Sequence, residues 1–164
     1  MSKNDIKIVS GGGEVVSMLV DDRTTSSDIQ IQPGEPVCKS NTNFVIHAAD
    51  GTPTNASGET LWGIAKTFST ETTSAEGSVD VQLVVPGVTV LRIKATTPAN
   101  LAQSIIQNAV TLDRTGTTEF AYTIDENEGD DPNVHGLIIL SYDSEKGTVD
   151  CLVKGYANEP TSSY

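Results

Sequence analysis

The stretch Gly77-Ser78-Val79-Asp80-Val81-Gln82-Leu83-Val84-Val85-Pro86-Gly87-Val88 decides the fold class. Val79, Val81, Leu83 and Val85 alternate with Asp80, Gln82 and Val84, the period of two by which a pleated strand sends successive side chains to opposite faces. Pro86-Gly87 breaks the run, because proline cannot donate to a sheet ladder and glycine readily takes turn dihedrals. Val88 to Ala95 then resumes it, with Thr89, Leu91 and Ile93 opposite Val90, Arg92 and Lys94. The two runs read as either a hairpin or one strand kinked in the middle.

Upstream, Glu14 to Val20 is predicted as a strand and Asp21 to Asp28 as a charged loop. Ile29 and Ile31 alternate with Gln30 and Gln32 before the turn Pro33-Gly34. Val37 and Phe44 to Ala48 suggest short strands around Lys39 to Asn43, Asp50 to Glu59 is loop, and Leu61 to Phe68 is apolar enough for a buried strand that takes in Trp62. Thr67 to Gly77 is small and hydroxylated, the composition of a mobile loop. Residues Met1 to Gly13 are polar and end in three glycines, which cost too much backbone entropy for regular structure and suit a flexible arm with a hinge.

Downstream, Thr97-Pro98 supplies an N-cap and a proline at the first helical position, and Ala99 to Asn108 follows without Gly or Pro, so one short helix is predicted with Leu101 and Ile105 on its apolar stripe. Val110 to Asp113 and Thr118 to Ile124 read as strands around Arg114 to Gly116. Leu137 to Tyr142 and Thr148 to Val153 form a hairpin through Asp143-Ser144-Glu145-Lys146-Gly147. The expected fold is mainly β: a small β-barrel or β-sandwich with one short helix and a C-terminal β-hairpin. Its parts are a flexible arm over 1–13, a core over 14–96, and a helix-plus-hairpin extension of the same domain, or small subdomain, over 97–164.

Composition narrows the function. A chain of 164 residues can bury roughly 70% of its unfolded surface, and with 5% aromatic residues its core is chiefly aliphatic. Ser and Thr make up about a fifth of the chain, and Thr with Val favours half-buried pleated surface. The formal charge of −12 repels phosphate, and Lys/Arg clusters that would release counterions are missing, so nucleic acid is a poor partner. No apolar run approaches 18 residues and no signal-peptide pattern opens the chain, so neither secretion nor membrane insertion is expected and synthesis is cytoplasmic. Cys38 and Cys151 have no metal-like spacing and read as buried small hydrophobes of a reducing compartment rather than a disulfide.

No residue pattern demands catalysis. The run Asp125-Glu126-Asn127-Glu128-Gly129-Asp130-Asp131 places its glycine at the fifth loop position, and Gly136 stands where a calcium loop needs a bidentate Glu, so it reads as a solvated, self-repelling loop. His47 and His135 are the only histidines, and His47 in an apolar strand reads as a core or interface residue. A Gly-x-Ser-x-Gly elbow is missing, and Ser10-Gly11-Gly12-Gly13 lacks the Lys-Ser or Lys-Thr of a phosphate loop. The expectation is a protein that is not an enzyme and uses no cofactor or metal.

Gly34-Glu35-Pro36-Val37, then Leu61-Trp62-Gly63-Ile64-Ala65-Lys66, then Gly77-Ser78-Val79-Asp80-Val81 leading to Pro86-Gly87-Val88 form an ordered series. In that order they resemble the capsid decoration, or cement, proteins of tailed bacteriophages, over about residues 30 to 95. The resemblance implies a homotrimer on the outer surface of the phage head, assembled in the host cytoplasm, that ties adjacent major capsid subunits together. It also implies an N-terminal arm that adds a strand to the capsid. Asn4, Asp5, Ile6, Lys7, Ile8 and Val9 are the corresponding interface candidates, with Thr52, Pro53, Thr54 and Asn55 of the long loop as a second group. The competing expectation is a tail, fibre or adhesin module that recognises a surface glycan.

Overall fold

Alternation of apolar and polar residues is realised as short strands along the chain, although Ile29–Gln32 alternates without forming one. The computed structural model describes residues 6–23, 29–39, 44–53, 61–117, 119–127 and 135–154. Its strands are β1 (Lys7–Ser10), β2 (Val15–Val20), β3 (Pro36–Lys39), β4 (Val45–His47), β5 (Leu61–Ala65) and β6 (Gly77–Leu83). They continue as β7 (Val90–Lys94), β8 (Ala109–Val110), β9 (Leu112–Thr115), β10 (Ala121–Ile124), β11 (Leu137–Asp143) and β12 (Thr148–Val153). One five-stranded antiparallel sheet runs β1-β7-β12-β11-β8, a second runs β2-β6-β5-β3-β4, and β9 and β10 pair as a hairpin. The architecture is a small β-sandwich. Among the described residues no helix is long and apolar enough to cross a membrane.

The first sheet buries Leu91, Ile93, Leu137, Ile139, Val149 and Cys151 against Cys38, Leu61 and Ile64 of the second, with Leu112, Tyr122 and Ile124 of the hairpin in the same cluster. A smaller cluster of Val20, Ile31, Val37, Val45, Ala65, Val79 and Val81 fills the other face of the second sheet. That sheet curls until β2 and β4 bring Cα atoms within 8 Å, yet the two strands do not pair, so the barrel stays open. Burial of each Val or Ile in the curl contributes roughly 1.5–3 kcal/mol, which holds it without a closing ladder.

Three sequence expectations are corrected. Pro86-Gly87 makes neither a hairpin nor a kink: β6 lies in the second sheet and β7 in the first, so the turn carries the chain across the sandwich. The alternation fails two residues earlier, where Val84 is buried and Val85 is exposed. The helix over 97–108 is replaced by two 3-10 turns, Pro98–Asn100 and Gln103–Ile105. Thr97 makes no side-chain cap; its N–H donates to the Glu126 carboxylate at 3.1 Å, and Leu101 and Ala102 are extended. Leu101 and Ile105 still reach the core, one from each side of the break. Residues 6–13, expected as a free arm, are built into the fold, because Ile6 enters the large core and β1 pairs with β7.

The C-terminal hairpin forms as expected, with Gly147 at φ +66° closing its loop, and β12 pairs directly with β7. The stretch 67–77 carries defined bonds, including Ser69 N–H to Ile31 O at 3.0 Å and Thr70 N–H to Ser78 O at 3.0 Å.

Candidate functional site

The predicted interface residues divide sharply. Asn4, Asp5, Thr54 and Asn55 lie outside the described residues. Ile6 is in the core, Ile8 packs against it, Lys7 pairs with Arg92 in register, and Val9 is exposed. Thr52 and Pro53 are buried: Leu112 N–H donates to Thr52 O at 2.7 Å and Gly136 N–H donates to Pro53 O at 2.9 Å. That part of the loop is pinned inside the molecule and offers no docking surface.

Exposed apolar side chains gather instead where the chain crosses between sheets. β1 and β2 are edge strands of different sheets, joined by Gly11–Glu14, and β6 and β7 are joined by Val84–Thr89. The two crossovers run side by side: Gly13 N–H donates to Leu83 O at 2.8 Å, and Thr89 Oγ1 donates to Gly11 O at 2.6 Å. Among the described residues nine large hydrophobics are exposed: Val85 and Val88 lie in the second crossover, Val9 and Val15 stand within two residues of the first, and Leu19 is at the far end of β2, opposite Ser78. Trp62, expected in the core, is 36% exposed, with Lys39 Nζ 5.3 Å from its ring centre.

A cleft of about 360 Å³ opens beside the curled sheet, lined by Val20 to Arg23, Ile29, Ile31, Val45 to His47, Glu71, Arg114 and Phe120. β4 delivers His47, whose Nε2–H donates to Ile29 O at 2.7 Å. A carbonyl can only accept, so that bond fixes the proton on Nε2. His47 Nδ1 lies 2.8 Å from Glu35 Oε2, within ion-pair range but off the line of a hydrogen bond. Arg23 Nη2 donates to Glu71 O at 3.0 Å, and Arg23 Nε stands 3.6 Å from Glu71 Oε1. Phe120 meets His47 edge-on at 4.8 Å between ring centres, with the Arg114 guanidinium 4.4 Å from its own. Just behind, Tyr122 Oη donates to Ala48 O at 2.7 Å, and burial pushes that phenol far above the ordinary range.

Sequence reasoning singled out His47 but missed Arg23, Glu71, Arg114 and Phe120, which lie in four separate segments. The one local signal was Glu71, an isolated carboxylate in the hydroxyl-rich run Ser69-Thr70-Glu71-Thr72-Thr73. Of the acidic run, Glu126 is buried rather than solvated and accepts from Asn100 Nδ2 at 3.1 Å, while residues 128–131 lie outside the described part. Among the described residues no cluster of three His, Cys, Asp or Glu side chains is arranged to hold a metal ion. Comparison of the chain with protein-family models, curated proteins and solved structures yields no match.

Proposed function

We propose that this chain is a structural virion protein, a decoration protein that binds the outer surface of a tailed-phage head and ties major capsid subunits together by contact alone. The observation that carries the reading is the apolar flank of Val9, Val15, Val85 and Val88 around the paired crossovers, with Leu19 exposed further along β2. Exposed apolar side chains mark protein contacts, and the edge strand β1 offers backbone groups to which a partner strand can add. The three segments that carry the family resemblance support it, since β3, β5 and β6 are neighbours in one sheet. Many copies on a lattice need only modest affinity each, and a homotrimer, part of this proposal, would multiply it.

Co-sedimentation with undecorated tailed-phage heads tests the reading. Val15→Lys combined with Leu19→Lys changes exposed positions, so melting should shift little, by under about 0.5 kcal/mol per site, while head occupancy is lost. Wild-type protein that sediments with no such head sinks the proposal. Deleting residues 1–10 is a poor test, since it removes Ile6 from the core and β1 from its sheet. Light scattering should give three times the 17.3 kDa chain mass; a monomer at every concentration removes the trimer.

A further inference from the structure

The buried side-chain polar atoms left without a hydrogen-bond partner among the described residues are Arg23 Nε, His47 Nδ1 and Glu71 Oε2, and all three residues line the same cleft. Buried polar groups are nearly always paired; His47 Nδ1 faces Glu35 Oε2 at 2.8 Å, so Arg23 Nε and Glu71 Oε2 are the atoms on this wall that indicate a place for a ligand with matching polar groups. The Glu71 side chain is only 1% exposed, and among the described residues its second oxygen has no hydrogen-bond donor. A cleft of about 360 Å³ falls in the range of small-molecule sites.

The wall also specifies the ligand's charge. Arg23 sits against Glu71, so the deep charged groups of the cleft already face opposite partners. An anion would meet Glu71, Asp21 and Asp22, a cation would meet Arg23 and Arg114, and a neutral molecule avoids both penalties. A hydroxyl can accept from Arg23 Nε–H and donate to Glu71 Oε2 through a single oxygen, which neither a carbonyl nor an ammonium can do. The carboxylates of Asp21 and Asp22 line the same cleft and can accept from further O–H groups, while Ile29, Val45 and Ile46 supply apolar surface for ring C–H.

We propose that this cleft binds a small neutral polyhydroxylated ligand, a saccharide unit, held between Arg23 and Glu71. The site shares no residue with the apolar flank, so it stands or falls separately from lattice docking. The test titrates free glucose, galactose, mannose and N-acetylglucosamine, each into the tens of millimolar, against the full chain by calorimetry and amide chemical shifts. At least one sugar should saturate and shift the amides of Arg23, His47 and Glu71. Glu71→Gln should weaken it by about tenfold or more, the effect of losing a charged hydrogen-bond partner, with circular dichroism confirming the fold. Arg23→Gln, at a side chain 30% exposed, repeats the test at a position less able to disturb folding. Asp143→Asn, in the distant β11–β12 hairpin, should leave binding unchanged. The proposal is overturned if none of the four sugars saturates, if both cleft variants bind as the parent does, or if N-acetylglycinamide binds where every sugar fails.

Discussion

Thr89 joins the two crossovers, and removing its hydroxyl should loosen them together. The residue is fully buried; its Oγ1 accepts from Val85 N–H at 2.7 Å and donates to Gly11 O at 2.6 Å. Thr89→Val keeps the shape of the side chain, so no cavity forms and the cost is polar. Losing the partner of the part-buried Val85 N–H costs about 1–2 kcal/mol. The Gly11 carbonyl belongs to an exposed residue and can turn to water, so its share is smaller, about 0.5–1 kcal/mol. The sum, less a partial gain from valine's added methyl, is about 2 kcal/mol. For 164 residues that lowers the melting temperature by roughly 4–8 °C. Calorimetry with an unchanged urea m-value is the assay, and Thr89→Ser, which keeps the hydroxyl, should fall less. A Thr89→Val protein as stable as the parent, or a serine variant as damaged as the valine one, refutes the reasoning.

Gly63→Ala in β5 should cost about 2 kcal/mol or more, because the new Cβ meets the Gln82 carbonyl oxygen and Val81 Cγ1 across the ladder; urea curves that coincide with the parent's would contradict this packing. Cys38 and Cys151 are buried thiols that form no disulfide, and burial pushes the Cys151 thiol upward, so a thiol reagent at pH 8 should label neither in the native state and both in denaturant. Rapid labelling of folded protein would show that one of them is accessible. Tyr122 has a folded pKa above its unfolded value of about 10, so its contribution is complete below that pH and is lost as pH rises beyond it. Tyr122→Phe should therefore flatten the fall in stability above pH 10, at a cost of about 0.5–1.5 kcal/mol near neutrality. Ala48 O still accepts from Arg114 Nη1 in that variant, which limits the loss. A parental alkaline slope in the phenylalanine variant would place the titration elsewhere.

The legible parts of this chain are those whose cause is local. Alternation from Val79 to Val81 and across Leu137–Tyr142 and Thr148–Val153 dictates strands, because side-chain direction along a pleat depends only on the neighbouring backbone. The β11–β12 hairpin was equally readable, since Gly147 sits where the loop needs a positive φ. The predicted helix shows the limit: Thr97-Pro98 is a sound local start, but Glu126 takes the Thr97 N–H from 29 residues away and ends the competition. Nor could the interface group Thr52-Pro53 be placed from its loop-like composition, because its burial depends on bonds from Leu112 and Gly136.

The sequence by itself determined a β-rich, aliphatic, acidic chain and most of its strand positions. Only the tertiary structure decided that Pro86-Gly87 links two sheets, since a Pro-Gly turn looks the same whether the chain returns or crosses, and the burial of Val84 against distant strands chooses between them. It likewise brought together Arg23, His47 and Glu71, which are separated by up to 48 residues and meet only because a sheet curls around an aliphatic cluster. Strand formation follows from periodicity within a few residues, whereas pairing, crossover and cleft follow from which apolar faces find each other once the whole chain is packed.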